Sequence, residues 1–152
     1  ITTAGSCNIA QPCMELRNAS VVYNIVTNTP VELIWPEVQK NRGFTFVPPL
    51  ARITIPEDGI YSISGDVAWD SDSTGARQIY LRWAGSNPTA QQCGRSVMTA
   101  SVGDVTQAYA YTFPSLVAGD TVWIEVWQNS GTTRTIGKAA PAGFQICECC
   151  VV

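Results

Sequence analysis

The segment from Ile53 to Trp69 constrains the fold of this chain more than any other. Ile53 and Ile55 alternate with a threonine, a Pro-Glu-Asp-Gly turn follows, and a β-branched and aromatic run resumes at Ile60. Two runs with a period of two residues, separated by a four-residue polar turn, are typical of a β-hairpin. The same pattern recurs over residues 116–127, with Ala-Gly-Asp as the turn. The sequence therefore predicts an all-β scaffold.

Short β-like runs follow one another along most of the chain. Glycine and proline separate them at regular intervals, which is typical of a β-sandwich or a barrel. Only two stretches, residues 12–17 and 37–41, could hold a helical turn. The predicted strands, about ten in number, cover residues 19–27, 31–35, 43–47, 51–55, 60–69, 77–84, 95–101, 106–113, 121–128 and 143–149.

Composition indicates one domain that associates with other surfaces. The chain has 152 residues, of which 45% are hydrophobic, so it can bury a full core. Only 14% are charged, and a surface with few charges is often covered by a copy or a partner. The net charge of −3, with scattered basic residues, argues against nucleic-acid binding. Since no apolar run reaches the roughly 20 residues that cross a bilayer, we expect no membrane insertion.

The residue types needed for the commonest catalytic sites are missing. The sequence contains no histidine, which removes the most frequent general base and metal ligand. It has no Gly-x-Ser-x-Gly elbow, and Cys93 has no base near it in the sequence. We therefore predict that the protein is not an enzyme and has no catalytic residue. We also expect no cofactor, apart from a candidate calcium ion.

Three acidic residues have a candidate role. Asp70 and Asp72 lie in an Asp-Ser-Asp-Ser-Thr-Gly loop whose oxygens could bind calcium. The alternative is a solvated turn in which the carboxylates accept backbone N–H groups. Glu125 lies in a strong predicted strand, on the face opposite Ile124 and Val126. It could pair with an arginine across the sheet or across a subunit contact.

The cysteines lie mostly near the two ends of the chain. An even count favours disulfides, with reduced, partly buried thiols as the alternative. Residues 1–18 are interpreted as an arm outside the core, and residues 149–152 as a cysteine-bearing tail. We expect at least one bond from the N-terminal to the C-terminal cysteines, within or between chains. The disulfide candidates are Cys7, Cys13, Cys93, Cys147, Cys149 and Cys150.

Four short motifs resemble those of a known family. They are an aromatic strand, a Gly-x-Tyr-x-Ile strand, a Gly-Asp-x-Val-Trp-x-Glu strand and a terminal Gly-Phe-x-Ile strand. In this order they resemble the globular head of complement C-one-q, within the tumour necrosis factor-like jelly rolls, over residues 19–148. The matching positions are Phe44, Phe46, Gly59, Tyr61, Ile63, Gly119, Asp120, Val122, Trp123, Glu125, Gly143, Phe144 and Ile146.

The resemblance implies a ten-stranded antiparallel jelly-roll sandwich that packs as a homotrimer and is not an enzyme. It also implies that aromatic and aliphatic side chains of the inner sheet meet at the threefold axis. The candidates for this trimer contact are Tyr61, Tyr109, Tyr111, Trp123 and Phe144.

Similar jelly rolls occur on bacteriophage particles, and this chain departs from the animal members. It lacks a Gly-X-Y collagen stalk and has cysteines near both ends. We therefore predict a structural protein of the virion surface, a trimeric decoration or cement protein that binds a capsid protein and stabilises a bacteriophage head. The alternatives are a receptor- or glycan-binding fibre tip, a secreted or cell-surface complement-like recognition module, and a disulfide-linked subunit of a bacterial surface or spore filament.

Overall fold

Every regular element of the described chain is a β-strand. The computed structural model describes residues 11–85, 91–99, 106–137 and 141–149, and of residues 91–93, 106 and 107 the backbone alone. The strands are β1 (Cys13–Asn18), β2 (Tyr23–Ile25), β3 (Val31–Glu32), β4 (Glu37–Arg42), β5 (Ile53–Thr54), β6 (Gly59–Trp69), β7 (Ala76–Ala84), β8 (Gln91–Thr99), β9 (Thr106–Thr112), β10 (Ser115–Leu116), β11 (Thr121–Gln128), β12 (Arg134–Ile136) and β13 (Ala142–Glu148).

These strands form two antiparallel sheets that pack face to face. The eight-stranded sheet has the order β2-β12-β6-β13-β1-β4, and β9 and β10 also pair with β6. The five-stranded sheet has the order β3-β11-β7-β8, and β5 also pairs with β11. The predicted all-β antiparallel sandwich is confirmed. The described residues contain thirteen strands rather than ten, because the prediction left out β1, β4, β10 and β12 and counted residues 43–47, which form no strand.

The core lies between the sheets and is built by alternation along the strands. In β11, Val122, Ile124 and Val126 are buried, and the residues between them point to the other face. Gly65 of β6 faces Ile124 of the other sheet, and a Cβ on this glycine would collide with the Ile124 side chain. The glycine therefore permits the close approach of the two sheets.

The two strand–turn–strand segments are corners between the sheets, so their prediction as hairpins is wrong. β5 pairs with β11, whereas β6 lies in the other sheet. Similarly, β10 pairs with β6, whereas β11 lies in the five-stranded sheet. The two turns instead bond to each other. The Ile55 amide donates to the Asp120 carbonyl at 2.8 Å, and the Gly119 amide donates to the Ile55 carbonyl at 2.9 Å.

The predicted arm also differs from the structure. Residues 13–18 form β1, which lies inside the eight-stranded sheet between β13 and β4. Met14 and Leu16 are fully buried in the core, and their spacing of two residues holds the segment in the sheet. The boundary at residue 18 and the candidate helical turn at 12–17 are therefore wrong, and only residues that precede β1 can form an arm.

Two other segments need correction. Residues 37–41, the second candidate helical turn, lie in β4, whose side chains are mostly exposed. Residues 43–47 were predicted as a strand but have no regular structure. Phe44 and Phe46 are nevertheless buried in the core. Alternate side chains of this segment therefore reach the core, although its backbone pairs with no neighbouring strand.

Candidate functional site

An exposed aromatic ridge lies on β9 and on Phe113, the residue that follows this strand. Tyr109, Tyr111 and Phe113 are 56%, 59% and 57% exposed, while Ala108 and Ala110 between them face the core. The ring centroids of Tyr109 and Tyr111 are 6.3 Å apart, and those of Tyr111 and Phe113 are 5.4 Å apart. Adjacent exposed aromatic side chains of this size mark an interaction surface. These three side chains therefore share one exposed side, as alternation along an extended backbone requires.

A polar groove of about 250 Å³ lies beside the ridge. Its lining includes Glu15, Arg17, Ser64, Asp66, Tyr109 and Gln145, from β1, β6, β9 and β13. The strand register aligns Arg17, Gly143, Asp66 and Tyr109 across these four strands. Because Gly143 has no side chain, the Asp66 carboxylate can lie over it; a Cβ there would be 2.5 Å from Asp66 Oδ1. We call the ridge and this groove together the assembly face.

The assembly face carries charge of both signs. Burial raises the pKa of Asp66, and the nearby Arg17 guanidinium opposes this rise. Arg17 Nε lies 3.6 Å from Glu15 Oε1, in a pair whose side chains are both exposed. The two carboxylates can accept hydrogen bonds from a partner, and the ridge supplies apolar surface next to them.

The structure separates the predicted trimer-contact residues. Tyr109 and Tyr111 lie on the assembly face, whereas Tyr61 and Phe144 are buried in the core of one chain. The Tyr61 hydroxyl donates to the Glu57 carbonyl at 2.8 Å, and burial raises the pKa of Tyr61 to about 12. Tyr61 and Phe144 are therefore wrong as contact residues, because no surface of theirs is left for another chain.

Trp123 is also wrong as a trimer-contact residue beside the ridge, because it does not lie in the eight-stranded sheet. It lies on β11 in the five-stranded sheet, on the side away from the core, and only 2% of it is exposed. Arg52 covers it, with Cζ 3.8 Å from the ring centroid. The sequence held a usable signal for Tyr61, since the polar Ser62, Ser64 and Asp66 alternate with it and indicate which side faces water.

One disulfide joins the two ends of the described chain. Cys13 of β1 and Cys147 of β13 are register partners and are bonded to each other. Cys149 is a free thiol. Cys7 and Cys150 lie outside the described residues, as does the side chain of Cys93. The chain therefore enters the sheet at β1 and leaves it at β13 at the same end of the domain, beside the disulfide.

The candidate calcium loop forms ion pairs with two arginines. Asp72 Oδ2 lies 2.5 Å from Arg134 Nη2, and Asp72 Oδ1 lies 3.4 Å from Arg77 Nη2 and accepts the Thr74 amide at 2.7 Å. The Thr74 amide, helped by the two arginines, lowers the pKa of Asp72. Within the described residues no third acidic side chain joins Asp70 and Asp72. These contacts argue against Asp72 as a calcium ligand, because two guanidinium groups already neutralise it, and calcium binding stays a prediction.

Glu125 has the arginine partner that its strand position allowed. Arg82 of β7 donates from Nη2 to Glu125 Oε1 at 2.7 Å, so the pair forms across the sheet within one chain. Trp123 and Arg82 are neighbours in the same register. Neither Arg52 nor Arg82 can be identified as a partner from the sequence, because nothing local in the chain indicates which strands become neighbours.

Comparison with known proteins identifies the fold. No protein-family model matches the sequence, and no curated protein matches it. In the described chain no helix is long and apolar enough to cross a membrane. Among solved structures, murine APRIL at pH 8.0 is similar, with a TM-score of 0.69 and 13% identity over 91% of this chain and 99% of that chain.

Two further solved structures are similar over most of their length. Eiger TNF from S. frugiperda has a TM-score of 0.67 and 10% identity over 93% of this chain and 96% of that chain. The globular domain of zebrafish complement 1qA has a TM-score of 0.63 and 17% identity over 91% of this chain and 96% of that chain. This chain therefore has the jelly-roll fold of tumour necrosis factor-like proteins and of the complement C-one-q globular head.

Proposed function

We propose that this chain is a non-enzymatic subunit of a homotrimer whose threefold contact is the assembly face. The observation that carries the proposal is the exposed ridge of Tyr109, Tyr111 and Phe113 beside the polar groove. Monomeric soluble proteins rarely leave a contiguous apolar patch of this kind in water. The fold supports the same choice, because trimers are the usual assembly of similar jelly rolls.

The energetics favour burial of the ridge between subunits. Full burial of a large apolar side chain contributes about 1.5–3 kcal/mol, and a well-placed aromatic pair adds about 0.5–1.5 kcal/mol. Each subunit supplies three such rings. Their summed contribution can offset the loss of translational and rotational freedom on association. The carboxylates of the groove make the contact specific, since they can accept hydrogen bonds from donors of the neighbouring subunit.

The trimer is tested with Tyr111→Asp, which puts a charge in the middle of the ridge. We expect the wild type to sediment as a trimer at micromolar concentration and the variant to sediment as a folded monomer. Val47→Asp is the matched control, because Val47 is 71% exposed and lies outside the ridge; it should remain trimeric. A folded wild-type monomer, or a trimeric Tyr111→Asp variant, would contradict the proposal.

We further propose that the trimer is a decoration protein on the surface of a virus particle, most simply a bacteriophage head. Its support is the position of the two ends of the described chain, which lie together beside the Cys13–Cys147 bond. In a threefold assembly three such pairs of ends lie at one end of the trimer. Attachment at three points slows release even when each contact is weak, which suits a protein that clamps a lattice.

The decoration role is tested on purified particles from the source. Mass spectrometry should find the chain in the particles, and removal of the segment before β1 should leave a folded trimer that no longer binds them. Undecorated particles should lose infectivity at a lower temperature than decorated particles. Absence of the chain from particles, or full decoration by the truncated protein, would contradict this role.

A second candidate is a recognition module at a secreted or cell surface, or at a fibre tip. The observation in its favour is the cluster of arginine and aromatic side chains on the five-stranded sheet, around Arg52 and Trp123. Binding of the intact trimer to host cells or to glycans, together with no affinity for particles, would favour this candidate over decoration.

A further inference from the structure

The solvent side of the five-stranded sheet carries a continuous row of charged and aromatic side chains. The register aligns Glu32 of β3, Glu125 of β11, Tyr80 of β7 and Arg95 of β8 across four strands. The residues on either side of Tyr80 and of Glu125 lie in the core. By alternation the row therefore points away from the core. We call this row, with Gln78, Arg82, Trp127 and Val97 beside it, the outer face.

Two arginines next to this row already have carboxylate partners. Arg52 donates two hydrogen bonds to Glu32, at 3.1 and 2.5 Å. Arg82 donates to Glu125 Oε1 from Nε at 3.2 Å and from Nη2 at 2.7 Å. Within each pair the two opposite charges neutralise each other. The pairing also holds the arginine side chain flat against the sheet, as the stacking of Arg52 on Trp123 shows.

Arg95 differs from both, because its partners among the described residues are neutral. Its Nη2 donates to Gln78 Oε1 at 3.2 Å, and its Cζ lies 5.6 Å from the Tyr80 ring centroid. Tyr80 donates its hydroxyl to the same Gln78 oxygen, and Arg82 lies 4.6 Å from the Tyr80 ring. The guanidinium is thus held in position while most of its five N–H donors remain free of described partners.

Apolar surface adjoins this cation. The next register row contains Trp127 of β11, Gln78 of β7 and Val97 of β8. Val97 is 49% exposed, and Trp127 is partly exposed. Tryptophan, tyrosine and arginine are the residues that most often dominate binding energy at protein interfaces. The outer face therefore offers one held guanidinium group, an aromatic platform and a small apolar surface side by side.

We propose that the outer face docks a partner protein through an acidic side chain that binds Arg95 and a neighbouring apolar side chain that covers Val97 and Trp127. Charge complementarity identifies the occupant. Three guanidinium groups against two carboxylates leave this face with one positive charge, while the chain as a whole has a net charge of −3. A carboxylate binds a planar guanidinium with two parallel hydrogen bonds. Because Arg95 is held in place, little side-chain entropy is lost on binding.

This docking does not depend on the trimer, because the outer face and the assembly face belong to different sheets. The test is selection from a random peptide library on immobilised full-length protein, with counter-selection on Arg95→Gln. The enriched peptides should carry Asp or Glu beside a large apolar residue. Synthetic copies should bind the wild type, and calorimetry should show an affinity for Arg95→Gln that is lower by about tenfold or more.

Two further variants sharpen this test. Arg42→Gln removes an exposed arginine of β4, in the other sheet and outside the assembly face, and should leave peptide affinity unchanged. Arg95→Lys keeps the charge without the planar fork and should bind with intermediate affinity. Each variant must first match the wild-type melting temperature.

Three outcomes would overturn the proposal. They are enriched peptides without an acidic residue, equal affinity for Arg95→Gln, and a change in the sedimentation of the free protein on Arg95→Gln, which would assign this surface to a second copy. Peptide binding by a monomeric Tyr111→Asp variant would support both the trimer contact through the ridge and the independence of the outer face.

Discussion

Ile55 and Asp120 join the two corners of the sandwich, since the Ile55 amide donates a hydrogen bond of 2.8 Å to the Asp120 carbonyl. The Asp120 side chain closes its own corner, because its Oδ2 accepts the Val117 amide at 3.1 Å. Only 4% of Asp120 is exposed. This pair of corners links β5 to β6 and β10 to β11, so each corner passes the chain from one sheet to the other.

Loss of the Asp120 carboxylate should therefore destabilise the whole domain. We expect Asp120→Ala to lower the free energy of unfolding by about 1–3 kcal/mol, because the Val117 amide loses its acceptor in a mostly buried corner. Urea denaturation measures the effect. Asp58→Ala is the control: Asp58 accepts the Ala118 amide at 2.8 Å in an exposed position, where water can replace it. An equal loss in both variants would contradict the role of burial.

The Cys13–Cys147 bond should contribute to stability in a way that the free thiol does not. Its partners are 134 residues apart, and removal of a native disulfide typically costs about 2–5 kcal/mol. We expect the double variant Cys13→Ser/Cys147→Ser to show that loss in urea denaturation, and Cys149→Ser to be close to wild type. Peptide mapping without reductant should recover the Cys13–Cys147 cross-link. Recovery of both as alkylated thiols would contradict the prediction.

Glu148 should make stability depend on pH in the acidic range. Burial raises its pKa, with a further rise from the charge and hydrogen bond of Glu57. The folded state thus favours the protonated acid, so this contribution is present below the unfolded pKa and is lost as pH rises through the folded pKa. We expect Glu148→Gln to raise the melting temperature at pH 7 and to leave it nearly unchanged at pH 4. A gain of equal size at both values would rule out this cause.

The Asp72 loop should respond to loss of its arginine contacts and not to calcium. The Arg77 side chain is fully buried, and burial lowers its pKa while Asp72 opposes that change. Asp72→Ala should therefore lower the melting temperature, because a buried guanidinium loses its carboxylate partner. Added calcium or a chelator should leave the wild-type melting temperature unchanged. A rise in melting temperature on calcium addition would restore the metal-site interpretation.

Local alternation was enough to predict several strands and their buried sides. Residues 121–128 are β11, and residues 77–84 lie within β7, where the alternating Ile79 and Leu81 are both in the core. Tyr109, Tyr111 and Phe113 share an exposed side for the same reason. A strand places alternate side chains on opposite faces wherever it lies in the fold, so this information is local and can be read from the sequence.

The pairing of the strands and the surroundings of each side chain were decided by the tertiary structure. The residues of a corner and of a hairpin are alike, and only the strand that satisfies the neighbouring backbone groups distinguishes them; β5 finds β11 instead of β6. For the same reason Tyr61 became part of the core, and Trp123 was covered by Arg52 on the opposite sheet from the ridge. The sequence by itself determined which side chains share a face, whereas contacts between residues distant in the chain decided what each face meets.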